Sequence, residues 1–377
     1  MTALADSSQP PPLFTAFSIR KVTFRNRIVV TPMCQYVADD GHVQLWHCAH
    51  HSRFALSGIG GAIVEATGVT RDGRITLGCL GIYLDEHVGG LKRIVDIYHS
   101  QGIPVGIQLS HAGRKASAAV PLKGAAPLAD ADPDRAWTAM APSAVALTDR
   151  WPIPREMTEH DIETIIEAFG IAAERACRAG FDFLEIHGAH GYLVNSYFSP
   201  IANRRSDSWG GAPLENRMRF PLGVAAEIRR RIPAEMPVFY RASVVDGLEG
   251  GVTIEDTAAL ARELKACGVD LIDCSSGGIT GPSGRAFERP APGYLVPYAR
   301  EVRERAGVPT MAVGLIVEAG QANAIVANGD ADLVAMGRQL LAEPSFPYHA
   351  AQALGHPKPE SVLPESYAFF LERRNLG

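Results

Sequence analysis

The sequence has no apolar stretch near the ~20 residues that a membrane-spanning helix needs. It has no excess of basic charge either, since 36 Lys and Arg stand against 41 Asp and Glu, for a net charge of −5. The first lack argues against a membrane protein and the second against a nucleic-acid or anionic-membrane partner. Cysteines are few: Cys34, Cys48, Cys79, Cys177, Cys267 and Cys274 are scattered, with no Cys-x-x-Cys and no zinc-like spacing. Reduced thiols packed as small apolar residues are the expectation, rather than a disulfide framework. Residues 1–12 lack the charged-then-apolar pattern of a signal peptide and, being polar and proline-rich, read as a disordered lead. Together these lacks point to the cytoplasm. No tandem repeat is present.

What the chain does have is alternation. Runs suited to strands occur at 28–31, 61–65, 105–108, 183–187, 238–241, 271–274, 310–313 and 333–336, with helix-like segments between them. Eight is the number that closes a (β/α)8 TIM barrel, and a hydrophobic content of 46% over 377 residues can fill such a core. Thr158 with Asp161 reads as a capping box opening a helix over 159–179, stopped by Gly180, and Thr253 with Asp256 repeats the device. Residues 13–26 suit a β-hairpin that caps the amino-terminal end of the barrel. A long connection, 110–157, follows the third strand and reads as a lid over the opposite end, although its middle, 115–136, equally suits a poorly ordered surface insertion. The expected organisation is one barrel domain over 13–350 with a carboxyl-terminal extension, 351–377, whose aromatics suit a subunit interface.

In such a barrel the chemistry sits where the strands end. Those ends carry Thr31, Pro32, Met33 and Cys34, then Ala66, Gln108, His187 with His190, Arg241, Ser275 with Gly277, Gly314, and Gly337 with Arg338. Loops after the last two strands commonly bind phosphate. Gln108 and Arg241 are planar hydrogen-bonding groups that suit the edge of a flat heterocycle, so flavin mononucleotide (FMN) fits the set. Packing alone remains open for Gly314 and Gly337, and a structural ion pair for Arg241. The segment from His187 to Tyr192 adds two imidazoles and a phenol, a set suited to polarising a carbonyl and protonating a carbon. A structural histidine or a zinc pair is also open there.

Several motifs together resemble the Old Yellow Enzyme family of flavin-dependent ene-reductases, in its bacterial, cysteine-containing branch. They are Pro32-Met33-Cys34-Gln35-Tyr36, the run from Gly106 to Lys115, His187-Gly188-Ala189-His190-Gly191-Tyr192, Ser199-Pro200 with Asn203 and Arg204, Asp207, Gly210-Gly211, Glu215-Asn216-Arg217 and Met336-Gly337-Arg338. The resemblance spans nearly the whole chain. It implies FMN held by Thr31, Pro32, Met33, Cys34, Ala66, Gln108, His187, His190, Arg241, Gly314, Gly337 and Arg338, with NADPH or NADH as reductant and no metal. It implies that His187 and His190 bind the oxygen of an enone, enal or imide and that Tyr192 is the proton donor. Cys34 would tune the flavin and Tyr36 would line the substrate pocket. A homo-dimer or homo-tetramer is implied too, in which Phe370, Arg373 or Arg374 reaches a neighbouring site. Two rivals are carried: a flavin-independent lyase or isomerase acting on a phosphorylated substrate, and a degenerate barrel kept as a binding module.

Overall fold

The computed structural model describes residues 9–281 and 290–374. The expected disordered lead falls mainly on residues 1–8, which lie outside the described residues. Twelve strands occur among those described: β1 (Phe17–Ile19), β2 (Val22–Phe24), β3 (Ile28–Val30), β4 (Gly61–Gly68), β5 (Val105–Ser110), β6 (Met140–Ala141), β7 (Arg155–Glu156), β8 (Phe183–Gly188), β9 (Val238–Ser243), β10 (Leu271–Ser275), β11 (Thr310–Ala312) and β12 (Leu333–Met336). Eight of them close a parallel barrel in the order β3-β4-β5-β8-β9-β10-β11-β12, with β12 returning to β3 through Met336 opposite Val30. All eight strand positions read from the sequence are present. Every barrel-strand residue is buried, as a parallel sheet covered on both faces requires.

The outer layer consists of α1 (Leu45–Ala55), α2 (His87–His99), α3 (Leu128–Ala131), α4 (Glu159–Ala179), α5 (Leu193–Phe198), α6 (Leu214–Arg231), α7 (Ile254–Ala266), α8 (Val296–Ala306), α9 (Ala319–Ala327), α10 (Arg338–Ala342), α11 (Phe346–Ala353) and α12 (Glu365–Glu372). Both capping boxes form. Thr158 accepts from the Asp161 backbone N–H and its own N–H is held by the Asp161 carboxylate, and Thr253 pairs with Asp256 in the same way. Gly180 ends α4 at φ 93°, a left-handed conformation that suits glycine. The buried face of α4 is formed by Ile162, Ile165, Phe169, Ala172 and Ala176. Helix α11 runs across position 350, so the barrel passes into its extension through a helix and not a linker.

Strands β1 and β2 pair as the expected hairpin. Ile19, Val22 and Phe24 pack against Val29, Ile63, Phe183, Phe239, Leu271, Met311 and Leu333 at the amino-terminal end of the barrel. The ring of Phe24 meets that of Phe183 edge-on at 5.6 Å between centroids, and Phe183 lies 4.7 Å from Phe239. Gly61 is required here, because a Cβ would come within 2.5 Å of the Phe24 ring.

The excursion after β5 is folded rather than loose. Ala119 N–H donates to Ala126 O at 2.8 Å, Leu128 N–H to Ser117 O at 2.7 Å, and β6 pairs with β7. Trp137 Nε1 donates to Asp72 O at 2.7 Å. Trp137 and Trp151 then join Ala112, Ala116, Ala118 and Tyr192 in a separate apolar cluster.

Candidate active site

Alternation along β8 turns Phe183, Glu185 and His187 to the barrel interior. Phe183 belongs to the apolar plug, and His187 lies at the opposite, carboxyl end in register with Arg241 of β9. The chain then turns sharply. His190 sits at φ 62° and its backbone N–H donates to Ser243 Oγ at 2.9 Å. Gly191 follows at φ 72°, where a Cβ would come within 2.2 Å of Gly278 O. Tyr192 occupies the cap position of α5, with its ring 4.8 Å from that of His187, and the two histidine rings are 5.2 Å apart. The sequence motif therefore becomes one compact group.

A backbone hydrogen bond assigns the His187 proton. Ala189 N–H donates to His187 Nδ1 at 3.3 Å, which leaves the proton on Nε2. His187 therefore keeps its Nε2–H to offer. Ser275 Oγ lies 2.8 Å from His190 Nε2, a contact in which either atom can donate. Burial, reinforced by Arg241, holds both imidazoles well below their ordinary pKa, so both are neutral.

Lys115 secures this corner, a role the sequence did not reveal although the residue closes a quoted motif. Its Nζ donates to the carbonyls of His190, Gly278 and Gly281 at 2.8, 2.8 and 3.0 Å, and stands 5.3 Å from the Tyr192 ring centroid. Burial, with help from Arg114, pushes its ammonium down to about 7.

Beside the group lies a cavity of about 360 Å³, within the range of small-molecule sites. It brings together Thr31, Met33, His190, Arg241, Gly314, Gly337 and Arg338 from the predicted set, and adds Tyr294, from a loop without periodic patterning, and Gln339, from the first turn of α10. Arg241 Nη1 donates to Thr31 Oγ1 at 2.9 Å and its Nε stands 3.3 Å from Asp273 Oδ2. Gln108 Nε2 donates to Glu185 Oε1 at 2.8 Å. At the other end Gly314 sits at φ 114°, and a Cβ on Gly337 would lie 2.9 Å from Thr31 Cγ2 and 3.1 Å from Met33 Sδ. Close packing is thus part of the reason for Gly337.

Pro32 and Cys34 are half-buried on the loop after β3, and Ala66 is buried on β4. Gln35 N–H donates to Glu65 Oε2 at 2.9 Å, which pins this loop. Cys34 and Tyr36 pack against the cluster that holds Tyr192. Burial raises the Cys34 thiol and the Tyr36 phenol, so both stay protonated. Phe370 is not brought in: it lies on α12, 71% exposed, beside Phe369. Among the described residues no group of three or more His, Cys, Asp or Glu could hold a metal ion, and the His187/His190 pair has no third ligand. A guanidinium at one end of the cavity, with glycine turns at the other, fits a flat heterocycle carrying a phosphate tail.

The profile of the NADH:flavin oxidoreductase / NADH oxidase family matches residues 12–356. The chain belongs to this family. These are the Old Yellow Enzymes, as the sequence motifs implied, and the protein is an FMN-dependent NAD(P)H oxidoreductase. It is 44% identical over 345 residues to an NADPH dehydrogenase of Geobacillus sp. (strain WCH70), covering 91% of this chain and 94% of that one. The NADPH dehydrogenase of Bacillus subtilis (strain 168) is 40% identical over 352 residues, with 93% and 97% covered. Among solved structures, morphinone reductase superposes with a TM-score of 0.75 at 27% identity, covering 92% of this chain and 91% of its own. A 2-naphthoyl-CoA reductase shares the fold, with a TM-score of 0.81 at 24% identity, and this chain covers 53% of it. No helix among the described residues of this Old Yellow Enzyme is long and apolar enough to cross a membrane.

Proposed function

We propose that this enzyme reduces the activated C=C bond of α,β-unsaturated carbonyl compounds: enones, enals and imides. The observation that carries the reading is the compact group of two neutral imidazoles and one phenol beside the cavity. The N–H groups of His187 and His190 hold the substrate carbonyl oxygen and stabilise the negative charge that develops on it. Tyr192 delivers its phenolic proton to the α-carbon. Bound FMN supplies the hydride that reaches the β-carbon. Thr31, Gln108 and Arg241 would hold the polar ring edge of the cofactor, Pro32, Met33, Cys34 and Ala66 would pack against it, and Gly314, Gly337 and Arg338 would hold its phosphate. Tyr36 and the folded excursion enclose the substrate and exclude water.

Nicotinamide and substrate occupy this one pocket in turn. Residues 13–350 form the catalytic unit, and Tyr367, Phe369 and Phe370, exposed together on α12, support a homo-oligomer in which they cover a second copy. The test is anaerobic: enzyme reduced with NADPH is mixed with an enone while flavin absorbance is followed. Rapid reoxidation with saturation of the C=C bond is expected, and a reduced enzyme that enones leave reduced overturns the reading.

A further inference from the structure

The ring-edge binders Gln108 and Arg241 belong to a polar layer whose two carboxyls the chemistry above does not use. Four adjacent barrel strands each contribute one inward side chain: Gln108 from β5, Glu185 from β8, Arg241 from β9 and Asp273 from β10. The registers set Gln108 beside Glu185 and Arg241 beside Asp273. Both carboxyls are 0% exposed. Glu185 Oε1 accepts from Gln108, but Glu185 Oε2 and both Asp273 oxygens have no hydrogen-bond partner among the described residues. One guanidinium cannot neutralise two carboxylates in this surrounding, and an unpaired buried carboxylate costs several kcal/mol. One carboxyl of the pair therefore carries a proton. Burial is the chief force raising both, and for Glu185 the neighbouring Asp273 adds to it. The groups facing the pair are Gln108 on β5, Arg241 on β9 and His187 two residues along β8.

We propose that Glu185 and Asp273 form a redox-linked proton site: the pair holds one proton while the flavin is oxidised and takes a second from solvent when the flavin is reduced. A hydride brings two electrons and one proton to the ring, so the ring gains one negative charge, and Arg241 lines the cavity between that charge and the carboxyls. With the oxidised ring neutral, Arg241 and the single carboxylate cancel. After reduction the ring carries −1 and the layer, having bound one proton, carries +1, so the total is unchanged. Reoxidation removes the hydride and returns the layer's proton to solvent. Any hydride acceptor serves, so the inference stands apart from the enone reading.

The test is a spectroelectrochemical titration of the holoenzyme, with the midpoint potential followed from acid to alkaline pH. The wild type is expected to take up two protons per electron pair over a neutral window. The double variant Glu185→Gln/Asp273→Asn is expected to take up one throughout, and each single variant, which keeps one ionisable carboxyl beside a neutral neighbour, to keep two over a similar window. A single proton per electron pair in the wild type, or two retained in the double variant, overturns the proposal. Should the double variant fail to fold or hold flavin, the reduced-minus-oxidised infrared difference spectrum of dithionite-reduced wild type decides. A protonated-carboxyl band that gains intensity and shifts in D₂O supports the site, and no such band overturns it.

Discussion

The two ends of the barrel are built from the same strands by opposite rules. At the amino-terminal end Phe24, Phe183 and Phe239 interlock in an apolar plug. Two residues further along β8 comes Glu185, and two beyond that His187, both inward and both buried. The plug gains free energy by leaving water, whereas the polar end loses it by burying groups that water would solvate. A closed barrel carries both because its strands are rigid and continuous: stability made at one end holds unfavourable chemistry in place at the other. The difference teaches where to expect separable phenotypes.

The sharpest break between the ends is expected from Tyr192→Phe. Reoxidation of reduced enzyme by an enone should slow by ~10²–10⁴-fold, the usual span for losing a positioned acid. Reduction by NADPH and the unfolding midpoint should stay nearly constant, and stopped-flow measurement of both half-reactions checks this. Equal losses in the two halves would remove Tyr192 from the acid role. The converse change, Phe183→Ala, should cost ~3–5 kcal/mol in denaturant unfolding while leaving turnover per folded, flavin-loaded molecule close to wild type. A selective loss of turnover would show that the ends are not separable. Smallest is the effect of Glu65→Gln at the polar end. Burial raises the Glu65 carboxyl to about 8, so the folded chain binds this proton more tightly than the unfolded one does. Its contribution to stability is present in full below the ordinary carboxylate range and is lost as pH rises through about 8. In the Gln variant that decline should flatten, and melting temperatures measured across the window report it.

The plug and the two capping boxes were legible because their causes are local: alternation, a turn, and a Thr three residues before an Asp. Strand ends were legible by position alone, and the cavity unites Thr31, Arg241, Gly314 and Gly337 as position implied. Glu185 and Asp273 were not, since each interrupts an apolar strand and only closure of the ring reveals that they face each other. Lys115 escaped for a similar reason, as the three carbonyls it holds belong to segments about 75 and 165 residues away, a separation set by the fold and not by any pattern. Tyr294 comes from a loop whose sequence carries no periodic signal. The excursion over 110–157 read as irregular because its order comes from Trp137, Trp151 and isolated backbone hydrogen bonds.

The seam between β12 and β3 joins residues about 300 positions apart. Thr31 and Met33 stand on one side of it, Gly337 and Arg338 on the other, and the cavity is lined from both. A nascent polypeptide emerging from the ribosome thus cannot grip its cofactor until its last barrel strand has been synthesised. Flavin capture comes at the end of biogenesis, and a truncation anywhere before that seam leaves a colourless chain however well its earlier helices have formed.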